Sequence, residues 1–112
     1  MGNPADRRRS ARVEVLGKIQ GQAVTLDVPI VVREISLGGM SVETAQGFPV
    51  ASTCDFLLML GDGSAVDLVG KVVYSRATTE GGRSFYVSGI QFVDQDDRDP
   101  DNPVGGLLDK VS

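Results

Sequence analysis

The chain of 112 residues contains no histidine, no tryptophan and a single cysteine, Cys54. One cysteine cannot close a disulfide within the chain, and without histidine there is no Cys/His metal site. The same scarcity argues against catalysis. Cys54 has no basic neighbour in sequence and no carboxylate pair is visibly positioned, so an enzyme is not expected. No apolar run approaches the roughly 20 residues needed to cross a bilayer. The basic N-terminus lacks the apolar stretch of a signal peptide, and Asp6 stands where N-myristoylation requires Ser or Thr. The expectation is a cytoplasmic protein with no membrane insertion. Aromatics make up only 5% of the residues and the net charge is −4. A single-stranded nucleic-acid binder wants exposed aromatics on a basic face, so nucleic acid is not expected as a partner.

What the chain has in abundance is turn chemistry. Fourteen glycines and five prolines are concentrated between apolar runs, the punctuation of an all-β domain. The runs predict strands over 11–19, 23–35, 40–43, 53–60, 66–78 and 83–93. Gln20-Gly21-Gln22 is read as the first turn, and Pro29 as the mark of an edge, bend or bulge. Paired glycines at Gly38-Gly39 suit a sharp turn with positive φ, and Gly61-Asp62-Gly63-Ser64 and Glu80-Gly81-Gly82 suit hairpins. In 66–78, Val66, Leu68, Gly70, Val72 and Tyr74 are expected on one face. Gly89 suggests a bulge or a close backbone approach. Six short strands joined by tight turns predict a six-stranded antiparallel β-barrel, whose closure removes exposed edges. Cys54 falls in an apolar strand and is expected to be a buried, inert thiol.

Three regions follow from this pattern: a flexible basic arm at 1–10, the barrel at 11–95, and an acidic tail at 96–112. The tail is expected to carry a short helix at 104–111, with Leu107, Leu108 and Val111 capping the barrel. Residues 1–20 carry a local charge of +3, whereas residues 94–112 carry −4. The aspartates after Val93 lack the glycine and terminal glutamate of a calcium loop and are read as a solvated tail.

Two short elements carry recognisable chemistry. The arm contains Arg7, Arg8, Arg9 and Arg12, with Arg8 and Arg12 in an R-x-x-x-R spacing. The segment Glu34-Ile35-Ser36-Leu37-Gly38-Gly39 reads acidic-x-Ser-x-x-Gly. Arginine forks match phosphate oxygens or the O6/N7 edge of guanine, and they stack on purines. A carboxylate accepts hydrogen bonds from the guanine N1–H and N2–H₂ edge. Ser36 adds a hydroxyl, and Gly38 and Gly39 let backbone approach a ligand closely. Together the two elements fit a guanine nucleotide bearing phosphates.

This pair, in this order, resembles the signature of the PilZ family of bacterial cyclic di-GMP receptor domains, as does Gly89-Ile90-Gln91-Phe92 in the last strand. The resemblance implies a six-stranded barrel that binds cyclic di-GMP and no other cofactor. It implies that Arg8 and Arg12 engage guanine and phosphates, that Glu34, Ser36 and Gly39 meet the other guanine face, and that Arg7 influences ligand stoichiometry. It further implies a second-messenger switch, in which the ligand orders the arm and alters the surface offered to a protein partner of unknown identity. Position 34 departs from the family pattern, with Glu where Asp or Asn is usual. That departure leaves open an alternative, an interaction adaptor that does not bind cyclic di-GMP.

Overall fold

A computed structural model describes residues 12–93 and 102–111. Seven strands run in chain order: β1 (Val13–Glu14), β2 (Ile19–Ala23), β3 (Val28–Ile35), β4 (Gly39–Thr44), β5 (Thr53–Leu60), β6 (Ala65–Glu80) and β7 (Arg83–Phe92), followed by helix α1 (Pro103–Val111). All pairings are antiparallel, in the order β1-β3-β2-β5-β6-β7-β4, and a further β3–β4 ladder closes β2 to β7 into a barrel. β1 stays outside the closure and pairs only with β3, Val13 opposite Ile35 and Glu14 opposite Glu34. The expected six-stranded closed barrel with a short C-terminal helix is therefore the observed fold.

The entry to the barrel differs from the sequence expectation. The expected first strand, 11–19, is broken after Glu14 by a turn in which Gly17 has φ +86°. Gln20-Gly21-Gln22, expected as a turn, lies in the middle of β2. The reversal comes later, in a 3₁₀ turn over Val24–Leu26 that ends on Asp27 at φ 54°. Tertiary pairing is the reason: β2 is flanked by both β3 and β5, so ladders on two sides override the turn-like Gln-Gly-Gln composition. Pro29 pairs with β2 at a point beyond the β3–β4 ladder, so its missing N–H leaves the closing seam intact.

Inward-facing rows make the core. Ile35, Met40, Ile90 and Val72 lie opposite one another across β3, β4, β7 and β6, and all are buried. Phe56, Leu58, Val32 and Val42 complete the interior, and Cys54 is buried with them. Helix α1 closes one end with Val104 and Leu107 fully packed and Leu108 and Val111 against the same cluster. It begins one residue before the expected boundary. Asn102 is its N-cap, with Oδ1 accepting the Val104 N–H at 2.9 Å, and Pro103 takes the first helical position.

Two β-bulges shape the outer surface. In β3 the register steps from Val32/Val42 to Glu34/Ser41, so Arg33 is the extra residue. In β6 it steps from Val72/Ile90 to Tyr74/Gly89, so Val73 is extra. The second bulge reverses the expected alternation. Val72 is buried, whereas Tyr74, expected on the same face, lies outside at 37% exposure.

Candidate ligand-binding site

The outer face across β3, β4, β7 and β6 is where Arg12 of the first sequence element meets the second. Register places Glu34 opposite Ser41, Ser41 opposite Gly89, and Gly89 opposite Tyr74. The next row on the same face sets Gly39 opposite Gln91. Two of these positions carry no side chain, so the sheet has a trough there. Its floor requires glycine for two distinct reasons. At Gly39 an added Cβ would fall 2.4 Å from the Ile90 carbonyl oxygen, a backbone atom that cannot retreat. At Gly89 an added Cβ would fall 2.2 Å from Cε1 of Tyr74, whose ring rests over that position. The close approach expected at Gly89 is thus to an aromatic ring, and the bulge lies opposite it.

The turn before β4 is built by Ser36. Its N–H donates to the Gly39 carbonyl at 2.8 Å, and its Oγ accepts the Gly38 N–H at 3.3 Å and lies 3.4 Å from the same carbonyl. The two hydroxyl contacts are long, so that oxygen is weakly held. Neither Gly38 nor Gly39 has positive φ, contrary to expectation. The turn is made instead by the Ser36 hydrogen bonds, and Gly38 simply leaves open space, with no atom within 4 Å of an added Cβ.

Arg12 joins the pieces. It directly precedes β1, and the Val13–Ile35 pairing brings it level with Ser36. Arg12, Ser36, Gly38 and Gly39 line one cavity of ≈ 260 Å³, walled on the far side by Val73, Tyr74 and Gln91. Arg12 and Tyr74 also line an adjoining cavity of ≈ 180 Å³ that contains Glu34, Arg33, Ser41 and Arg76. Glu34 therefore sits one cavity away from Ser36, with Arg12 common to both. Arg7 and Arg8 lie outside the described residues, as do the expected arm and the aspartates 94–101.

Ionic contacts brace the β6–β7 hairpin over this face. Glu43, at 8% side-chain exposure, accepts from Arg33 at 3.4 Å and Arg83 at 3.2 Å, and Arg33 also meets Glu80 at 3.6 Å. Both guanidinium groups lie over the Phe85 ring. The arrangement offers an exposed trough with arginines at its rim, backbone at its floor and one aromatic wall, suited to a flat, anionic ligand. Among the described residues no group of three or more His, Cys, Asp or Glu side chains is placed to hold a metal. No described helix is long and apolar enough to cross a membrane.

Sequence reading missed Tyr74, Arg76, Val73 and Gln91 at this site. Tyr74 was placed on the same face as Val72 because strict alternation was carried through the bulge. The Gly89 signal, once coupled to its cross-strand partner, is what could have revealed it.

Comparison with known proteins bears on family and fold. No curated protein matches the sequence. The solved structure described as the PilZ domain with c-di-GMP of YcgR from Escherichia coli is similar over 88% of this chain and 89% of that one, with TM-score 0.63 and 11% identity, which speaks for a shared fold. The PilZ domain family matches residues 6–107, nearly the whole length, and the chain belongs to that family.

Proposed function

We propose that this chain is a cyclic di-GMP receptor domain acting in the cytoplasm, a binding module rather than an enzyme. One observation carries the reading: Arg12 lines a cavity with Ser36, Gly38 and Gly39, and lines its neighbour with Glu34. These residues come from both sequence elements. The related YcgR domain, described with cyclic di-GMP, supports the same ligand. In this reading Arg8 and Arg12 fork onto phosphate and guanine edges, and Arg7 adjusts how many ligands stack. Glu34 accepts from the N1–H and N2–H₂ edge of guanine, Ser36 contributes its weakly held hydroxyl, and Gly38 and Gly39 admit the ligand to the backbone. Ligand binding fixes the arginine arm against the barrel and changes the surface met by a protein partner.

Calorimetric titration with cyclic di-GMP tests the proposal, with an Arg8→Ala/Arg12→Ala variant as control. Saturable heat lost in the variant is expected; absence of heat from the native chain overturns it. Glu34 is the one feature that favours a second reading, the ligand-independent adaptor, because its carboxylate is carried one methylene further out than the family's Asp. Binding created by Glu34→Asp where the native chain has none would select the adaptor.

A further inference from the structure

Tyr74 is a partly exposed aromatic outside the core, held in place by its neighbours on the sheet surface. The Val73 bulge turns it outward, and Gly89 leaves the space its ring occupies. The ring also carries a cation: the Arg76 guanidinium carbon lies 5.2 Å from its centroid. Tyr74 is the wall shared by both cavities, and Arg76 lines the one that holds Glu34. An aromatic face pre-positioned beside arginines and a guanine-type acceptor has the chemistry of a base-stacking platform.

We propose that Tyr74, backed by Arg76, is the stacking platform for a purine base of the ligand and sets the preference for a purine at this site. The inference rests on the nucleotide-receptor reading and deepens it. The base lies against the exposed part of the Tyr74 ring, beside the Arg76 guanidinium that lies over that ring, with Glu34 lining the same cavity. The phosphates then extend past the end of the ring toward Arg12. Because Tyr74 and Arg12 line both cavities, one ligand occupies both while keeping a single base on the platform. Arg76 is a positioning residue, holding the ring and adding positive charge beside the base.

The chain permits a direct optical test, since it has no tryptophan and only two tyrosines, Tyr74 and Tyr86. Tyrosine emission is followed during titration with cyclic di-GMP, with linear pGpG and with the pyrimidine counterpart cyclic di-UMP, and calorimetry runs in parallel. Quenching by both guanine ligands is expected in the native chain and in Tyr86→Phe, and is expected to vanish in Tyr74→Phe. Tyr74→Ala is expected to weaken cyclic di-GMP binding about 5- to 150-fold, the usual range for one stacked base. Gly89→Ala, which forces the ring aside without deleting it, is expected to weaken binding in the same direction, with thermal melting as the check that the barrel remains folded. Cyclic di-UMP is expected to bind less tightly than cyclic di-GMP, and this gap is expected to narrow in Tyr74→Ala. Calorimetric binding of cyclic di-GMP with unchanged Tyr74 emission and undiminished affinity in Tyr74→Ala would overturn the platform and leave the receptor reading standing. Failure of every nucleotide to bind would overturn both.

Discussion

At the residue scale, the two adjacent glycines of the Ser36 turn do different work, and substitution separates them. Gly39 packs its backbone against the Ile90 carbonyl, so Gly39→Ala forces strands apart and is expected to cost about 1–3 kcal/mol in urea unfolding, in the manner of other overpacked sites. Gly38 faces open space without positive φ. Gly38→Ala is therefore expected to change stability by less than about 0.5 kcal/mol, while its methyl group intrudes on the cavity and weakens cyclic di-GMP binding in calorimetry. Equal unfolding midpoints for the two variants would contradict this division. The motif itself was legible in sequence because Ser36 and the glycines are local chemistry. The side chain of Tyr74 was not, because one extra residue in a ladder inverts every later face, and the bulge becomes visible only when β6 is laid against β7.

At the element scale, α1 depends on the barrel. A nine-residue helix with two internal glycines has little helicity of its own, so packing must hold it. Leu107→Ala, at a position 2% exposed, is expected to lower global stability by about 2–5 kcal/mol in chemical denaturation. The last turn of the helix is also tied to the β5–β6 hairpin, where Lys110 Nζ donates to Ser64 Oγ at 2.6 Å and lies 3.5 Å from Asp62. The hydrogen bonds from the Ser64 hydroxyl and backbone N–H hold the Asp62 carboxyl below its ordinary value of 3.8, with Lys110 adding to the effect. A folded-state value below the unfolded one makes this a stabilising contribution present above pH 3.8 and lost as pH falls through the folded value. Asp62→Asn is thus expected to destabilise slightly at neutral pH and to match the native chain in acid, as read from melting curves at both extremes. The helix was legible in sequence from its apolar face at Leu107, Leu108 and Val111, whereas its start at Asn102-Pro103, an N-cap followed by proline, was not read. The β1–β2 boundary was not. Glycine flanked by glutamines reads as a turn, and only pairing on both sides makes it strand.

At the scale of the whole molecule, closure is the organising event. β2 must pair with β5 and β3 with β4 before the core is sealed, and the Ile19–Leu60 pair spans a long stretch of chain. Such non-local pairing predicts refolding in milliseconds to seconds by stopped-flow, slower than a helical bundle of similar length. The ionic cluster at Glu43 ties the β6–β7 hairpin to β3 and β4 across the sheet. Removing its largely buried carboxylate by Glu43→Ala takes the shared acceptor from Arg33 and Arg83, leaving Arg33 only its contact with Glu80, and is expected to cost on the order of 1–3 kcal/mol. Hydrogen exchange that accelerates first at the hairpin, from Ser75 to Ser88, would place the loss in that brace. Uniform acceleration would place it in the core instead.

Several properties follow from the sequence alone because they depend on neighbours along the chain. Turn residues between apolar runs determine an all-β fold, and the absence of histidine with a single cysteine excludes a disulfide within these 112 residues and a Cys/His metal site. The tertiary structure alone decided that Arg12 stands beside Ser36 and Gly38, that Glu34 occupies the next cavity, and that Tyr74 faces outward over Gly89. These depend on register between strands far apart in sequence, where a single bulge changes which side chains share a face.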